Sequence, residues 1–274
     1  MRLLITGAAG MLGQDVARLA GDQASALSRA ELDITNAAAV DEAFAVEQPQ
    51  VVLNCAAYTN VDGAEQESEA ALRVNRDGAA NVAAAAARVG AAVAYVSSDY
   101  VFDGSKREPW LESDPTGPLS SYGRSKLEGE LATAAANERH FIVRSSWLFG
   151  AAGPNFVDTM LRLAGERDEL RVVHDQVGSP TYTGHLAEGL LELAGTQAYG
   201  VHHMAGAGSC SWFELAGAIF ERAEVDCRLE PCTTAEFPRP APRPAYSVLG
   251  RSRADTPVLP SWQEGLEAYL GVRV

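Results

Sequence analysis

The sequence predicts an α/β fold: a doubly wound parallel sheet with a smaller C-terminal lobe. Three observations lead there. Strand-like and helix-like segments alternate over the first 145 residues, the first strand–helix junction is rich in glycine, and the alternation loosens after about residue 146. Short links between such units favour parallel strands, because a parallel neighbour is reached only through a crossover, usually a helix.

The elements follow in order. Residues 2–6 form a short apolar run and read as a strand, and residues 10–20 read as a helix. A strand at 25–28 and a helix at 37–46 come next. Residues 51–54, Val-Val-Leu-Asn, have the continuous apolar character of a strand buried on both faces. The Ala-rich stretch 65–89 reads as one long helical segment. A strand at 92–97, a helix at 121–136 and a strand at 141–145 complete the regular part. Beyond it, 156–165 and 184–194 read as helices and 200–204 as a strand. The run Phe237-Pro238-Arg239-Pro240-Ala241-Pro242-Arg243-Pro244 is expected to be an ordered loop, being short and carrying arginines. An amphipathic helix over 262–270 ends the chain. The expected division is a first domain of residues 1–145 with a returning segment near 184–204. A second lobe is built from 146–183 and 205–274. No internal repeat is visible.

Composition narrows the function. Of 274 residues, 47% are hydrophobic and 21% charged, which is ordinary for a globular protein, and the formal net charge is −14. So acidic a surface has no general attraction for nucleic acid or an anionic membrane. A polyanionic ligand must be met locally, by helix N-termini and a few arginines. No run approaches the ~20 apolar residues of a membrane span. The N-terminus runs straight into a strand and a glycine turn, so no leader is expected. Cys55, Cys210, Cys227 and Cys232 form no CxxC pair, and neither a disulfide framework nor a metal site is expected. Together these features point to the cytoplasm.

Thr6-Gly7-Ala8-Ala9-Gly10-Met11-Leu12-Gly13 holds a GxxGxxG pattern between the first strand and the first helix. Glycines there let the backbone turn tightly and let a pyrophosphate approach the amides, and the helix N-terminus supplies free N–H groups and a positive dipole end. This makes the sheet Rossmann-type, with Gly7 and Gly10 in the cofactor cradle. After the second strand comes Leu27-Ser28-Arg29-Ala30, where many NAD-preferring sites place an acid. Arg29 can instead pair with a 2′-phosphate, which favours NADPH over NADH. Asp33 and Ile34 are placed to bracket an adenine. Ala56, Ala57 and Tyr58, after the third strand, line the expected path of the cofactor backbone.

Tyr122-Gly123-Arg124-Ser125-Lys126 opens a helix and puts Tyr122 and Lys126 on one face. A tyrosine near its ordinary pKa of ~10 is a poor acid–base group at neutral pH. An ammonium one turn away stabilises tyrosinate and makes the proton mobile. Lys126 can also reach the nicotinamide ribose. The chain has eight tyrosines but only two lysines, Lys106 and Lys126, so the spacing is not a common accident. Ser97-Ser98-Asp99 ends the fourth strand, at the sheet edge where ligands sit in such folds. There the Ser98 hydroxyl can hold a substrate carbonyl oxygen while Tyr122 gives its proton.

These blocks resemble the dTDP-4-dehydrorhamnose reductases of the extended short-chain dehydrogenase/reductase superfamily. The resemblance runs over nearly the whole chain. The glycine loop and the Tyr–Lys pair are common to the superfamily. More specific are residues 97–104 (SSDYVFDG), Arg144-Ser145-Ser146-Trp147, residues 175–181 (DQVGSPT) and Arg243-Pro244-Ala245-Tyr246-Ser247-Val248-Leu249. The resemblance implies hydride transfer from NADPH to C4 of a nucleotide-linked sugar, with Tyr122, Lys126 and Ser98 catalytic and the smaller lobe binding substrate. It implies sugar contacts from Ser98, Asp99 and Trp147, and cofactor contacts from Gly10, Met11, Leu12, Arg29, Asp33, Ile34, Ala56, Ala57, Tyr122 and Lys126. Ser98 stands where the family commonly has threonine, and Cys55 where it has alanine. Some members are dimers holding magnesium through carboxylates; only Asp15 can be placed near such a site, so a homodimer stays open and no metal is expected. Two other readings remain open: another nucleotide-sugar enzyme of the superfamily, such as an epimerase or dehydratase, and a non-catalytic regulatory subunit that binds a dinucleotide.

Overall fold

The computed structural model describes residues 1–272; the last two residues of the expected second lobe lie outside them. The first half runs β1 (Leu3–Thr6), α1 (Met11–Ala20), β2 (Ala24–Leu27), α2 (Ala37–Glu47), β3 (Val51–Asn54), α3 (Ser68–Leu72), α4 (Ala79–Arg88), β4 (Ala92–Ser98), α5 (Ser121–Ala136) and β5 (His140–Ser145). Then follow β6 (Leu148–Phe149), α6 (Phe156–Ala164), β7 (Glu169–Val173), β8 (Val177–Gly178), β9 (Thr181–Tyr182), α7 (Thr183–Ala194) and β10 (Gly200–His203). The rest is β11 (Cys210–Ser211), α8 (Trp212–Arg222), β12 (Arg228–Cys232) and α9 (Trp262–Gly271).

Six strands form one parallel sheet in the order β2-β1-β3-β4-β5-β10. The chain leaves β1 toward one side and returns to β3 on the other, so the crevice between their C-terminal ends is a topological switch point. Thr6 and Asn54 close its floor: the Thr6 hydroxyl donates to Asn54 Oδ1 at 2.7 Å.

Alternation along the strands builds a core on each face. Leu3, Ile5, Val51, Leu53, Phe141 and Val143 point to the side covered by Leu12 and Val16 of α1 and Leu186, Leu190 and Leu193 of α7. Leu4, Val52 and Val93 point the other way, against Val40 and Phe44 of α2 and Val82 and Ala86 of α4. Each large side chain so buried contributes roughly 1.5–3 kcal/mol. A third core joins β7 and β12, a parallel pair, to α6, α8 and α9 through Val157, Leu170, Leu215, Phe220 and Leu266. No helix among the described residues is long and apolar enough to cross a membrane.

The structure refines two expectations. The stretch 65–89 is helical without a break from Ser68 to Arg88, but between α3 and α4 it widens into a π-helical turn, Arg73–Gly78. The wider turn presents Asn75, fully buried, to the interior. Its amide accepts from Tyr58 N at 2.8 Å and donates to Tyr58 O at 3.1 Å and Ser125 Oγ at 2.8 Å. Propensity favours a regular α-helix, and this buried network outweighs it. The proline-rich run is indeed ordered: the guanidiniums of Arg239 and Arg243 and the Ala241 amide all bond Asp62, after β3. Burial alone would raise Asp62, but Arg243, Arg239 and that amide hold it well below the usual carboxylate range.

Candidate active site

A cleft of about 860 Å³ opens over the switch point. Its walls include Gly7, Gly10, Met11 and Leu12 from the glycine loop, Arg29, Asp33 and Ile34 after β2, and Ala56, Ala57 and Tyr58 after β3. Ser98, Asp99, Tyr122, Lys126 and Trp147 line the same cleft. Every site residue expected from the sequence is thus brought to one place.

The cradle fits a pyrophosphate. Gly7 has φ +69°, and a Cβ there would lie 2.6 Å from the Ala56 backbone. A Cβ on Gly13 would lie 2.3 Å from Gly7 O. The loop therefore folds back on α1 with no space to spare. The first turn of α1 has no side-chain cap and no acid, so its N–H groups face the cleft unclaimed by any side chain. Arg29 is exposed at the rim. Asp33 accepts from Thr35 N at 2.9 Å and Thr35 Oγ1 at 2.8 Å, and these bonds hold its carboxyl below the usual range. Tyr58 shapes the wall, while its hydroxyl donates to Glu67 at 2.9 Å.

At the other end stands the acid–base set. The Ser120 side chain caps α5 by accepting from Gly123 N at 3.1 Å, which fixes the turn bearing Tyr122. Lys126 is 2% exposed; its Nζ donates to Val96 O at 2.7 Å and lies 4.2 Å from the Tyr95 ring centroid. Burial pushes Lys126 down to about 7, with Glu130 and then Cys55 opposing. Burial pushes Tyr122 up to about 12; a hydrogen bond with Ser98 opposes the rise and Asp99 adds to it. Tyr122 is therefore protonated at rest, as a proton donor must be.

Asp99 is 2% exposed, accepts from Ser98 Oγ at 2.9 Å through Oδ1, and leaves Oδ2 buried without a partner. Burial pushes it up to about 7, against the hydroxyls of Ser247 and Ser98. The folded protein thus keeps a proton that the unfolded chain releases near pH ~4. Stability from this group is present below that pH and is lost as pH rises through about 7. Asp99→Asn carries no charge at any pH. Its stability relative to wild type, read by thermal unfolding, is expected to rise from pH 5 to about pH 7, by roughly 2–4 kcal/mol, and to level off above that. A gap that stays constant over that range would contradict a neutral, buried Asp99.

Trp147 carries backbone strain, with φ +48°. Its ring lies flat on that of Trp212, centroids 3.5 Å apart and planes within 4°. Gly178 makes room: a Cβ there would stand 2.4 Å from the indole. Trp212, on α8, also lines the cleft and donates Nε1–H to Gln176 at 3.2 Å. The sequence reading missed Trp212 altogether, although Ser211 and Glu214 form a capping box that marks the start of its helix. Asp15 is occupied in joining α1 to α7, accepting from Thr183 Oγ1 at 2.6 Å and pairing with Arg18 at 3.1 Å.

The family described as RmlD substrate binding domain matches residues 1–273. The chain belongs to that family. A dTDP-4-dehydrorhamnose reductase of Streptomyces griseus is 45% identical over 262 residues, 92% of this chain and 86% of that one. Among solved structures, a dTDP-4-dehydrorhamnose reductase of Clostridium acetobutylicum superposes with TM-score 0.96 at 43% identity, covering 100% of this chain and 99% of that one. Another, from Bacillus anthracis and in complex with NADP, matches with TM-score 0.96 at 40% identity over 100% and 99% of the two chains. Within the RmlD family, then, this member has Ser98, Tyr122 and Lys126 lining one cleft.

Proposed function

We propose that this chain reduces the C4 ketone of dTDP-4-dehydrorhamnose, giving dTDP-L-rhamnose, with NADPH as reductant. The observation that carries the proposal is the single cleft in which an uncapped helix N-terminus and glycine cradle meet Ser98, Tyr122 and Lys126. When bound, NADPH supplies the hydride. The first-turn amides of α1 hold its pyrophosphate, and Arg29 takes the 2′-phosphate that distinguishes it from NADH. The Ser98 hydroxyl orients the substrate carbonyl, and Tyr122 Oη delivers the proton to the C4 oxygen as that oxygen gains charge. Lys126 steadies the tyrosinate left behind, which regains its proton from solvent. Asp99, with a free buried oxygen beside Ser98, and Trp147 hold the sugar. The smaller lobe, 146–183 with 205–274, closes the substrate end, and the reaction belongs in the cytoplasm.

The test is NADPH absorbance on addition of dTDP-4-dehydrorhamnose. Stoichiometric oxidation of NADPH is expected. An inert mixture that still binds NADPH would overturn the assigned activity and favour a regulatory dinucleotide-binding role, and product formed without net NADPH loss would favour an epimerase.

A further inference from the structure

Beneath the active site runs a line of buried charge that the reaction as described does not use. Glu130 stands one turn beyond Lys126 on α5, as Lys126 stands one turn beyond Tyr122, so the three share a helix face. Glu130 is 4% exposed and its partner Arg144, on β5, 5%. Arg144 forks onto the carboxylate, Nε to Oε1 at 2.9 Å and Nη2 to Oε2 at 2.7 Å. Ser97, beside Ser98 on β4, donates its hydroxyl to the same Oε1 at 2.5 Å. Behind Arg144 lie the Phe102 ring, 5.1 Å from the guanidinium, and His203 Nε2 on β10, 3.5 Å from Nη1. A buried ion pair stabilises a fold little, because desolvation cancels most of the attraction. This one is better explained by where its charge falls.

We propose that Glu130 is a positioning residue of the reaction, held by Arg144 and Ser97 so that its negative charge keeps Lys126 an ammonium next to Tyr122. The proposal rests on the reductase reading, because only there does the charge of Lys126 matter. Among the described residues Lys126 Nζ donates to a carbonyl, Val96 O, which offers a dipole and no charge. The other groups around it carry none either. Burial pushes the Cys55 thiol, after β3, and the Tyr122 phenol each up to about 12, and lifts Tyr95 on β4 well above its usual value. Glu130 is the carboxylate whose field opposes the desolvation of Lys126. Glu130 is in turn faced by Tyr95 and Ser97 from β4, Arg144 from β5 and Lys126 from its own helix.

The chain has two lysines, so selective 15N-lysine labelling gives two side-chain signals, Lys106 and Lys126. In Glu130→Gln the titration midpoint of Lys126 is expected to fall by about one pH unit while that of Lys106 stays. The alkaline limb of kcat should move down by the same amount, with activity partly restored at lower pH. Because Glu130→Gln leaves Arg144 without its carboxylate, the double variant Glu130→Gln with Arg144→Met is measured beside it. It leaves no unpaired guanidinium, and the Lys126 midpoint is again expected to fall, by less. A Lys126 midpoint that does not move in a folded variant overturns the proposal, as does a kcat reduced equally at every pH, which a purely structural role would give. The NMR arm needs no sugar substrate, so its failure is distinct from failure of the reductase reading.

Discussion

Tyr122→Phe is expected to bind NADPH as wild type does and to lose turnover by about 10²–10⁴-fold. The substitution removes one oxygen and leaves the ring, which packs edge-on against Tyr100 with centroids 5.9 Å apart, in place. Capping of α5 by Ser120 and the burial of Lys126 do not depend on the hydroxyl. What is lost is the proton that must reach the C4 oxygen as hydride arrives. Without it an alkoxide would have to form in a buried site, stabilised only by Ser98. A fluorescence titration measures the first half of this expectation and steady-state kinetics the second. Near wild-type turnover in Tyr122→Phe would remove Tyr122 from the acid role.

Gly13→Ala is expected to weaken NADPH binding by about 100-fold, or ~2.7 kcal/mol, while leaving the secondary structure intact. By helix propensity alone the change should help, since alanine is better than glycine inside a helix by ~1 kcal/mol. Here the new Cβ would stand 2.3 Å from Gly7 O and 2.8 Å from Ala8 Cα. Both are backbone atoms, so the loop itself must shift, and with it the amides that hold the pyrophosphate. Gly217, inside α8, is the control: a Cβ there meets nothing within 4 Å. Gly217→Ala should leave binding unchanged and stability equal or slightly higher. Equal NADPH affinities for the two variants would mean that the glycine loop is not the cradle.

Much of this site was legible because its signals are local. A glycine loop between a strand and a helix, a Tyr–Lys pair four apart and a Ser-Asp at a strand end each sit within a few residues. A parallel sheet then carries all of them to the same edge. What escaped the sequence is held by long-range pairing. Asp62 meets Arg239 across 177 positions and Trp147 meets Trp212 across 65. In the β7–β12 pair β7 alternates but is only five residues long, and β12 is partly exposed and carries Pro231, which argues against a strand. The π-helical turn is hidden for another reason: its alanine-rich neighbours favour an ordinary helix, and only the buried partners of Asn75 reverse that preference. Helix α8 could have been read, from its capping box and from Leu215, Ala216, Ile219 and Phe220 at helical spacing.

In the reaction proposed, a hydride passes to C4 of a nucleotide-linked sugar in the cleft over the switch point. NADPH carrying deuterium at the transferable position of the nicotinamide tests it most directly, with the sugar product read by proton NMR. One deuterium per product is expected, at C4, with an equal amount of NADPH consumed. Deuterium at any other carbon, or a product formed while the label stays in the cofactor, would contradict it.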